Sequence, residues 1–178
     1  YMYDADQNIN KLKLLKKLNL LFIVDGTIED SILLIKFAYK FAKKYPDINI
    51  IIRLHPILSF HKLKKHINIL NIIPENIIFS QNSLEEDLSL SFWTIYRGSG
   101  LLIRIIPKLI KPIYLDLQDT ISFNPLFFLN AANTKISDID SLHKLIIADH
   151  IRNIMTIFHE WKFLVSKIKS YFVKTDYL

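Results

Sequence analysis

Short apolar runs of strand length recur along this chain, and stretches of helical period separate them. That alternation limits the fold more than any other feature. Residues 18–24 are apolar apart from Asn19, and Asp25-Gly26-Thr27 follows as a turn. Over residues 30–45 the period changes. Leu34, Ile35, Ala38, Phe41, Ala42 and Tyr45 share one helical face, with Lys36, Lys40, Lys43 and Lys44 largely off it. Residues 48–54 read as a second strand, closed by His55-Pro56. A basic helix is expected near 59–69 and a third strand at 77–79. Ser83 and Glu86 stand at capping-box spacing and open a short helix. Residues 92–96 form a fourth strand, ended by Arg97-Gly98-Ser99-Gly100, then a helical turn or two at 101–106. Residues 112–115 form a fifth strand. Residues 120–134 read as loop, and 141–172 as helix.

Strands alternating with helices at this spacing imply βαβ units. Right-handed crossovers then place helices on both faces. The expectation is an α/β, Rossmann-like fold. It has a mainly parallel sheet of about five strands in the order 3-2-1-4-5, helices on both faces and a long C-terminal helical region. Residues 1–140 would form the Rossmann-like domain and residues 141–178 an amphipathic region packed on it. In that tail Ile147, Ile151, Ile154, Phe158, Trp161, Val165, Ile168 and Phe172 make a continuous apolar stripe. A core helix is the expected reading; a membrane-surface helix and a coiled coil are the alternatives.

Composition excludes several classes. At 51% hydrophobic and 22% charged residues, the chain is not disordered. Cysteine is absent, which excludes disulfides, thiolate zinc sites and a cysteine nucleophile. No apolar run is long enough to span a bilayer. The acidic start lacks the pattern of a signal peptide, and its first residue, Tyr1, suggests a piece of a longer chain. A net charge of +6 comes mainly from lysines scattered over helices, in a sequence rich in Ile, Lys and Asn. No aromatic-basic strand platform accompanies them, so nucleic-acid binding is not expected. No metal-ligand cluster is visible either.

The rare residues carry the functional signal. All three glycines, Gly26, Gly98 and Gly100, follow strands one and four. Arg53 and Arg97 stand at the ends of strands two and four, and His55-Pro56 follows strand two. In open α/β sheets ligands bind at the carboxyl ends of the strands, where strand order reverses. Glycines there let backbone N–H groups approach an anion. Ser99 adds a hydroxyl, and the helix after Gly100 points its positive end at the same place. Pro56 holds His55 at the rim, where the imidazole can donate to a phosphate.

Two resemblances follow from these motifs. Asp25-Gly26-Thr27 resembles the opening motif of haloacid-dehalogenase-type phosphatases. Ile23 stands at the nucleophile's position, however, and an aliphatic side chain forms no phosphoaspartate. A degenerate phosphatase is therefore the second alternative, with Thr27 or Asp30 capping the next helix. The wider match takes Arg53-Leu54-His55-Pro56, Ile77-Ile78-Phe79-Ser80, Ser83-Leu84-Glu85-Glu86-Asp87-Leu88, Tyr96-Arg97-Gly98-Ser99-Gly100 and Lys111-Pro112-Ile113-Tyr114-Leu115 in order. This series resembles the C-terminal, donor-binding half of GT-B glycosyltransferases that build bacterial surface polysaccharides. It is most similar to the HP-motif and serine-motif group of sialyl- and polysialyltransferases, Kdo-type transferases and CDP-glycerol transferases.

The resemblance implies that His55, Pro56, Gly98, Ser99, Gly100, Arg53, Arg97 and Gly26 surround the nucleotide and phosphate of an activated donor of CMP or CDP type. It implies no cofactor and no metal. The acceptor site and catalytic base would lie in a separate N-terminal half, so this part alone would be inactive. A cytoplasmic location is implied, or a peripheral one at the inner face of the membrane. The first alternative is a non-catalytic Rossmann-like domain that binds a ligand or partner.

Overall fold

The computed structural model describes residues 19–105, 110–117, 124–126, 134–151 and 166. Six strands form one sheet: β1 (Asn19–Ile23), β2 (Asn49–Arg53), β3 (Ile77–Phe79), β4 (Trp93–Tyr96), β5 (Lys111–Leu115) and β6 (Thr134–Ile136). All pairings are parallel and the order is β3-β2-β1-β4-β5-β6. The chain builds outward from β1 to one edge, then returns to its other side at β4. Strand order therefore reverses at β1 and β4, as expected.

The expected strand count is one short. The sixth strand begins at Thr134, where a loop was anticipated. It has three residues and pairs on one side with β5. An edge strand this short has one fully buried side chain, Ile136, so no alternating pattern marks it.

Among the described residues five helices accompany the sheet: α1 (Ile28–Lys44), α2 (Phe60–His66), α3 (Leu84–Leu90), α4 (Leu102–Ile105) and α5 (Ile139–Ile151). A 3-10 turn at Asn68–Asn71 follows α2, so the expected basic helix stops short. Helix α5 begins two residues before the expected start, because Asp138 Oδ1 accepts from the Ser141 amide at 2.8 Å and caps the first turn. In α3 the capping box is present, with Ser83 and Glu86 each accepting from the other's amide.

Neighbouring residues of β1 face opposite ways, and two cores result. Leu20, Phe22 and Val24 pack with Ile50, Ile52, Ile95, Phe41 of α1, Leu63 of α2 and Leu142 and Ile146 of α5. Leu21 and Ile23 pack on the other face with Ile51, Leu84, Leu88, Leu102 and Tyr114. Helices α1, α2 and α5 thus cover one face, and α3 and α4 the other. Asp149 of α5 is buried at the base of the sheet. Its Oδ2 accepts from Trp93 Nε1 at 3.0 Å and from Lys111 Nζ at 2.6 Å. Of the predicted tail stripe only Ile147 and Ile151 fall in α5; the stripe from Ile154 onward lies outside the described residues. Among the described residues no helix is long and apolar enough to cross a membrane.

Candidate functional site

The site lies at the carboxyl ends of β1, β2 and β4. Register sets its level: Ile23 of β1 pairs with Arg53 of β2 on one side and with Tyr96 of β4 on the other. The turns after Arg53 and Tyr96 therefore leave the sheet at the same height. Their strands flank β1, so their backbones lie about 10 Å apart, two strand spacings. The turn that carries Gly26 rises between them.

On the β2 side, the Leu58 amide donates to the His55 carbonyl at 2.8 Å, which closes a four-residue turn. Pro56 occupies its second position, where a fixed φ favours the turn. The Ile57 amide donates to His55 Nδ1 at 3.4 Å. An Nδ1 that accepts leaves Nε2 as the ring's donor. The His55 ring lies against Gly26. A Cβ at Gly26 would stand 3.5 Å from Nδ1 and 3.1 Å from Ile57 Cδ1. Absence of a side chain at Gly26 thus lets the β1 and β2 turns pack together.

On the β4 side, Gly98 has φ 76°, a left-handed conformation that costs an ordinary residue about 1–2 kcal/mol. Ser99 is buried, and its Oγ accepts from the Leu101 amide at 3.4 Å. A hydroxyl in that role still has its own hydrogen to donate. Gly100 is exposed, and a Cβ there would meet nothing within 4 Å. Of the two glycines, Gly98 is required by the backbone and Gly100 leaves open space over the turn. Below them Tyr96 donates to Asn124 Oδ1 at 2.8 Å. Burial, with a smaller contribution from Tyr114, pushes its phenol far above the ordinary range, so Tyr96 stays a neutral donor.

The two arginines behave differently from the rest of the set. Arg53 donates to Asp87 Oδ2 at 2.7 Å and to the Asn82 carbonyl at 2.9 Å. Arg97 is 1% exposed. Its Nε donates to Asp30 Oδ1 at 2.6 Å and its guanidinium to the Leu115 carbonyl at 3.0 Å. Both guanidinium groups are engaged by the protein, and Arg97 lies beneath the rim. Thr27 occupies the N-cap position of α1, but its side chain accepts no capping bond. Its hydroxyl instead donates to Asp30 Oδ2 at 3.2 Å, so Asp30 serves Arg97 and Thr27. Ile23, at the phosphatase nucleophile's position, is 2% exposed in the core.

Two residues of this network escaped the sequence reading of the site. Asp87 is fully buried and accepts from Arg53, from Ser80 at 2.6 Å and 2.7 Å, and from Asn82. Its signal was positional: it stands with Leu84 and Leu88 on the inward face of α3, where a charge requires a partner. Asp30 had been read as a cap. Among the described residues no group of three His, Asp or Glu side chains could hold a metal ion.

No family model matches the chain, and no curated protein matches it in sequence. Solved structures do match in fold. One is the glycotransferase of kitacinnamycin, with TM-score 0.57 and 10% identity over 86% of this chain and 39% of that one. Another is TarM, with TM-score 0.54 and 17% identity over 86% and 31%. A third is the wall teichoic acid polymerase TagF, in a His-to-Asn variant soaked with CDPG, with TM-score 0.55 and 13% identity over 93% and 42%. The fold is therefore the Rossmann-like α/β arrangement found within GT-B glycosyltransferases. This chain spans less than half the length of each of these proteins.

Proposed function

We propose that this chain is the donor-binding half of a GT-B glycosyltransferase of the HP-motif and serine-motif group, which makes bacterial surface glycan. The observation that carries the reading is the register. It brings the His55-Pro56 turn and the Gly98-Ser99-Gly100 turn level on either side of Gly26, at the reversal of strand order. The fold shared with TagF, soaked with CDPG, supports a cytidine nucleotide as the donor's carrier.

In this reading the donor's phosphates lie over Gly26, between the two turns. His55 Nε2–H and the Ser99 hydroxyl donate to phosphate oxygens, and the amides at Ser99 and Gly100 add backbone donors. When the sugar's C–O bond to phosphate breaks, its electron pair stays on the phosphate oxygen. Donors already aimed at that oxygen stabilise the developing charge. Arg53 and Arg97 act behind the rim, holding the turns. A separate acceptor domain supplies the attacking hydroxyl and the base.

The test is thermal unfolding of the chain with CMP, CDP, UDP, GDP and ADP. A nucleotide at 100 times its dissociation constant adds about 2.7 kcal/mol. CMP or CDP should give the largest shift. His55→Ala and Ser99→Ala should each weaken that nucleotide by about tenfold to a hundredfold, the loss of one hydrogen bond to a charged group. A preference for UDP or GDP, or no shift at all, would overturn the reading. Transfer activity after joining the chain to an acceptor half separates an enzyme from the alternative, a binding domain without catalysis.

A further inference from the structure

The strand ladder beneath the site ends at one level, the pairs of Ile23 with Arg53 and with Tyr96. Above it the three turns leave the sheet. Toward β2 the Val24 amide still donates to the Arg53 carbonyl at 3.0 Å, and Gly26 packs against the His55 ring and Ile57. Toward β4 the register stops at Tyr96, and a side-chain connection takes over. Arg97 stands directly before Gly98. Its Nε donates to Asp30 Oδ1 at 2.6 Å, and its guanidinium donates to the carbonyl of Leu115, the last residue of β5, at 3.0 Å.

The other end of that connection is the first turn of α1. Asp30 Oδ2 accepts from the Thr27 hydroxyl at 3.2 Å, so the two oxygens of one carboxylate serve the turn after β1 and the residue before Gly98. Ser31, next in sequence, is fully buried. Its hydroxyl shares one hydrogen between the Asp25 carbonyl, at 3.0 Å, and the Thr27 carbonyl. Ser31 thus ties the Asp25-Gly26-Thr27 turn to the helix, and Asp30 ties Arg97 to the same helical turn. Replacing a buried ion pair by apolar groups of its size is often neutral for stability. What the pair supplies is direction, because its hydrogen bonds hold only over a narrow range of distance and angle.

We propose that Asp30 and Ser31 are positioning residues. They hold the Gly98-Ser99-Gly100 turn at one distance from Gly26, and thereby let the Ser99 hydroxyl and His55 meet the same phosphate. The inference rests on the donor-binding reading and goes further into the same site. The two donors follow strands about 10 Å apart, and a hydrogen bond reaches only about 3 Å, so a shift of about 1 Å in either turn breaks one of them. Neither Asp30 nor Ser31 touches the donor. Asp30 acts by way of Arg97, and Ser31 by way of the Asp25 carbonyl.

The experiment is calorimetric titration of the 178-residue chain with CDP, together with amide hydrogen exchange of the chain without nucleotide. Asp30→Asn keeps one acceptor for Arg97 but loses the charge and the acceptor for Thr27. Ser31→Ala removes a hydroxyl and little volume. Each should weaken CDP about threefold to tenfold while urea denaturation still shows a folded chain. Ser99→Ala should then cost at least about threefold less in the Asp30→Asn chain than in wild type, because its hydroxyl has already lost its place. His55→Ala should cost the same in both. A merely structural role would leave both costs unchanged. Exchange of the Leu101 amide, held by Ser99 Oγ, should quicken in Asp30→Asn, and that of the Leu58 amide, held by the His55 carbonyl, should not. Unchanged CDP affinity in either folded variant would overturn the proposal, as would an equal cost of Ser99→Ala in both backgrounds. If Asp30→Asn does not fold, Ser31→Ala carries the affinity test. If the wild type does not bind CDP, it is the donor-binding reading that fails. Exchange at Leu101 then decides whether Asp30 holds the turn, and an unchanged rate overturns that.

Discussion

Arg53 and Arg97 close β2 and β4 at nearly the same level, yet they leave the sheet by opposite faces. Arg53 reaches Asp87 of α3; Arg97 reaches Asp30 of α1. Their burial is also reversed. In the first pair the carboxylate is fully buried and the arginine side chain 26% exposed; in the second the arginine is 1% exposed and the carboxylate 23%. The contrast shows how one rim can be braced from both sides. Each pair ties a neighbouring helix to a strand end, on either side of the turn that carries Gly26. An arginine at a strand end can thus be committed to bracing its own fold.

The sharpest way to break this comparison is to delete the more exposed partner of each pair. Removing one member of a buried pair costs roughly 3–5 kcal/mol, because the other charge is left uncompensated. Asp30→Ala should lie at the upper end, since it takes the carboxylate away from a guanidinium that is 1% exposed. Arg53→Ala should lie at the lower end, since Asp87 keeps its hydrogen bonds from Ser80 and Asn82. Urea denaturation of the two variants measures the difference. Equal losses would mean that the reversed burial has no energetic meaning.

A smaller effect should divide the two glycines of the β4 turn. Gly98→Ala forces a side chain into φ 76° and should destabilise by about 1–2 kcal/mol. Gly100→Ala meets nothing within 4 Å and should leave the denaturation midpoint unchanged. Matching losses would show that space rather than backbone conformation governs this turn. On the β3 side, Ser83→Ala removes the capping box of α3 and should cost about 1 kcal/mol. Since α3 carries Asp87, that loss tests whether the helix start contributes to the Arg53 brace.

The smallest effect is acid sensitivity. The backbone amide and hydroxyl of Ser83 hold the Glu86 carboxyl below its ordinary 4.5. The hydroxyl and amide of Ser141 hold Asp138 below its ordinary 3.8. Folding lowers both values, so their contribution is fully present above pH 4.5 and lost as pH falls through the lowered values. A melting temperature that is flat above that point and declines below it is expected. Ser83→Ala should reduce the decline, and an unchanged acid slope in that variant would remove Glu86 as a cause.

Much of the fold was legible because its signals are local. An apolar run bounded by a turn, a helical stripe such as Leu34 to Tyr45, and a capping box each act over a few neighbouring residues. The third strand was readable at its observed bounds, Ile77–Phe79. The sixth strand was not, because three residues at an edge need only one inward side chain. Of the site, Gly26, His55 and the Gly98-Ser99-Gly100 turn stood out through their rarity and their places after strands. The partners of Arg53 and Arg97 did not, since each lies 34 or 67 residues away in sequence.

The sequence by itself determined the alternation of strand and helix, the parallel sheet this implies, and the places of the glycine-bearing turns. Periodicity and turn chemistry operate between near neighbours, and the chain displays them openly. Only the tertiary structure decided which charges meet. It placed Asp87 under Arg53, set Asp30 against Arg97, and carried Asp149 to Trp93 and Lys111. It also left Ile72 and Ile78 in water. The physical reason is that burial is a property of the assembled layers. A charge is costly, and an isoleucine is covered, only once helices and sheet have packed and water has been excluded from between them.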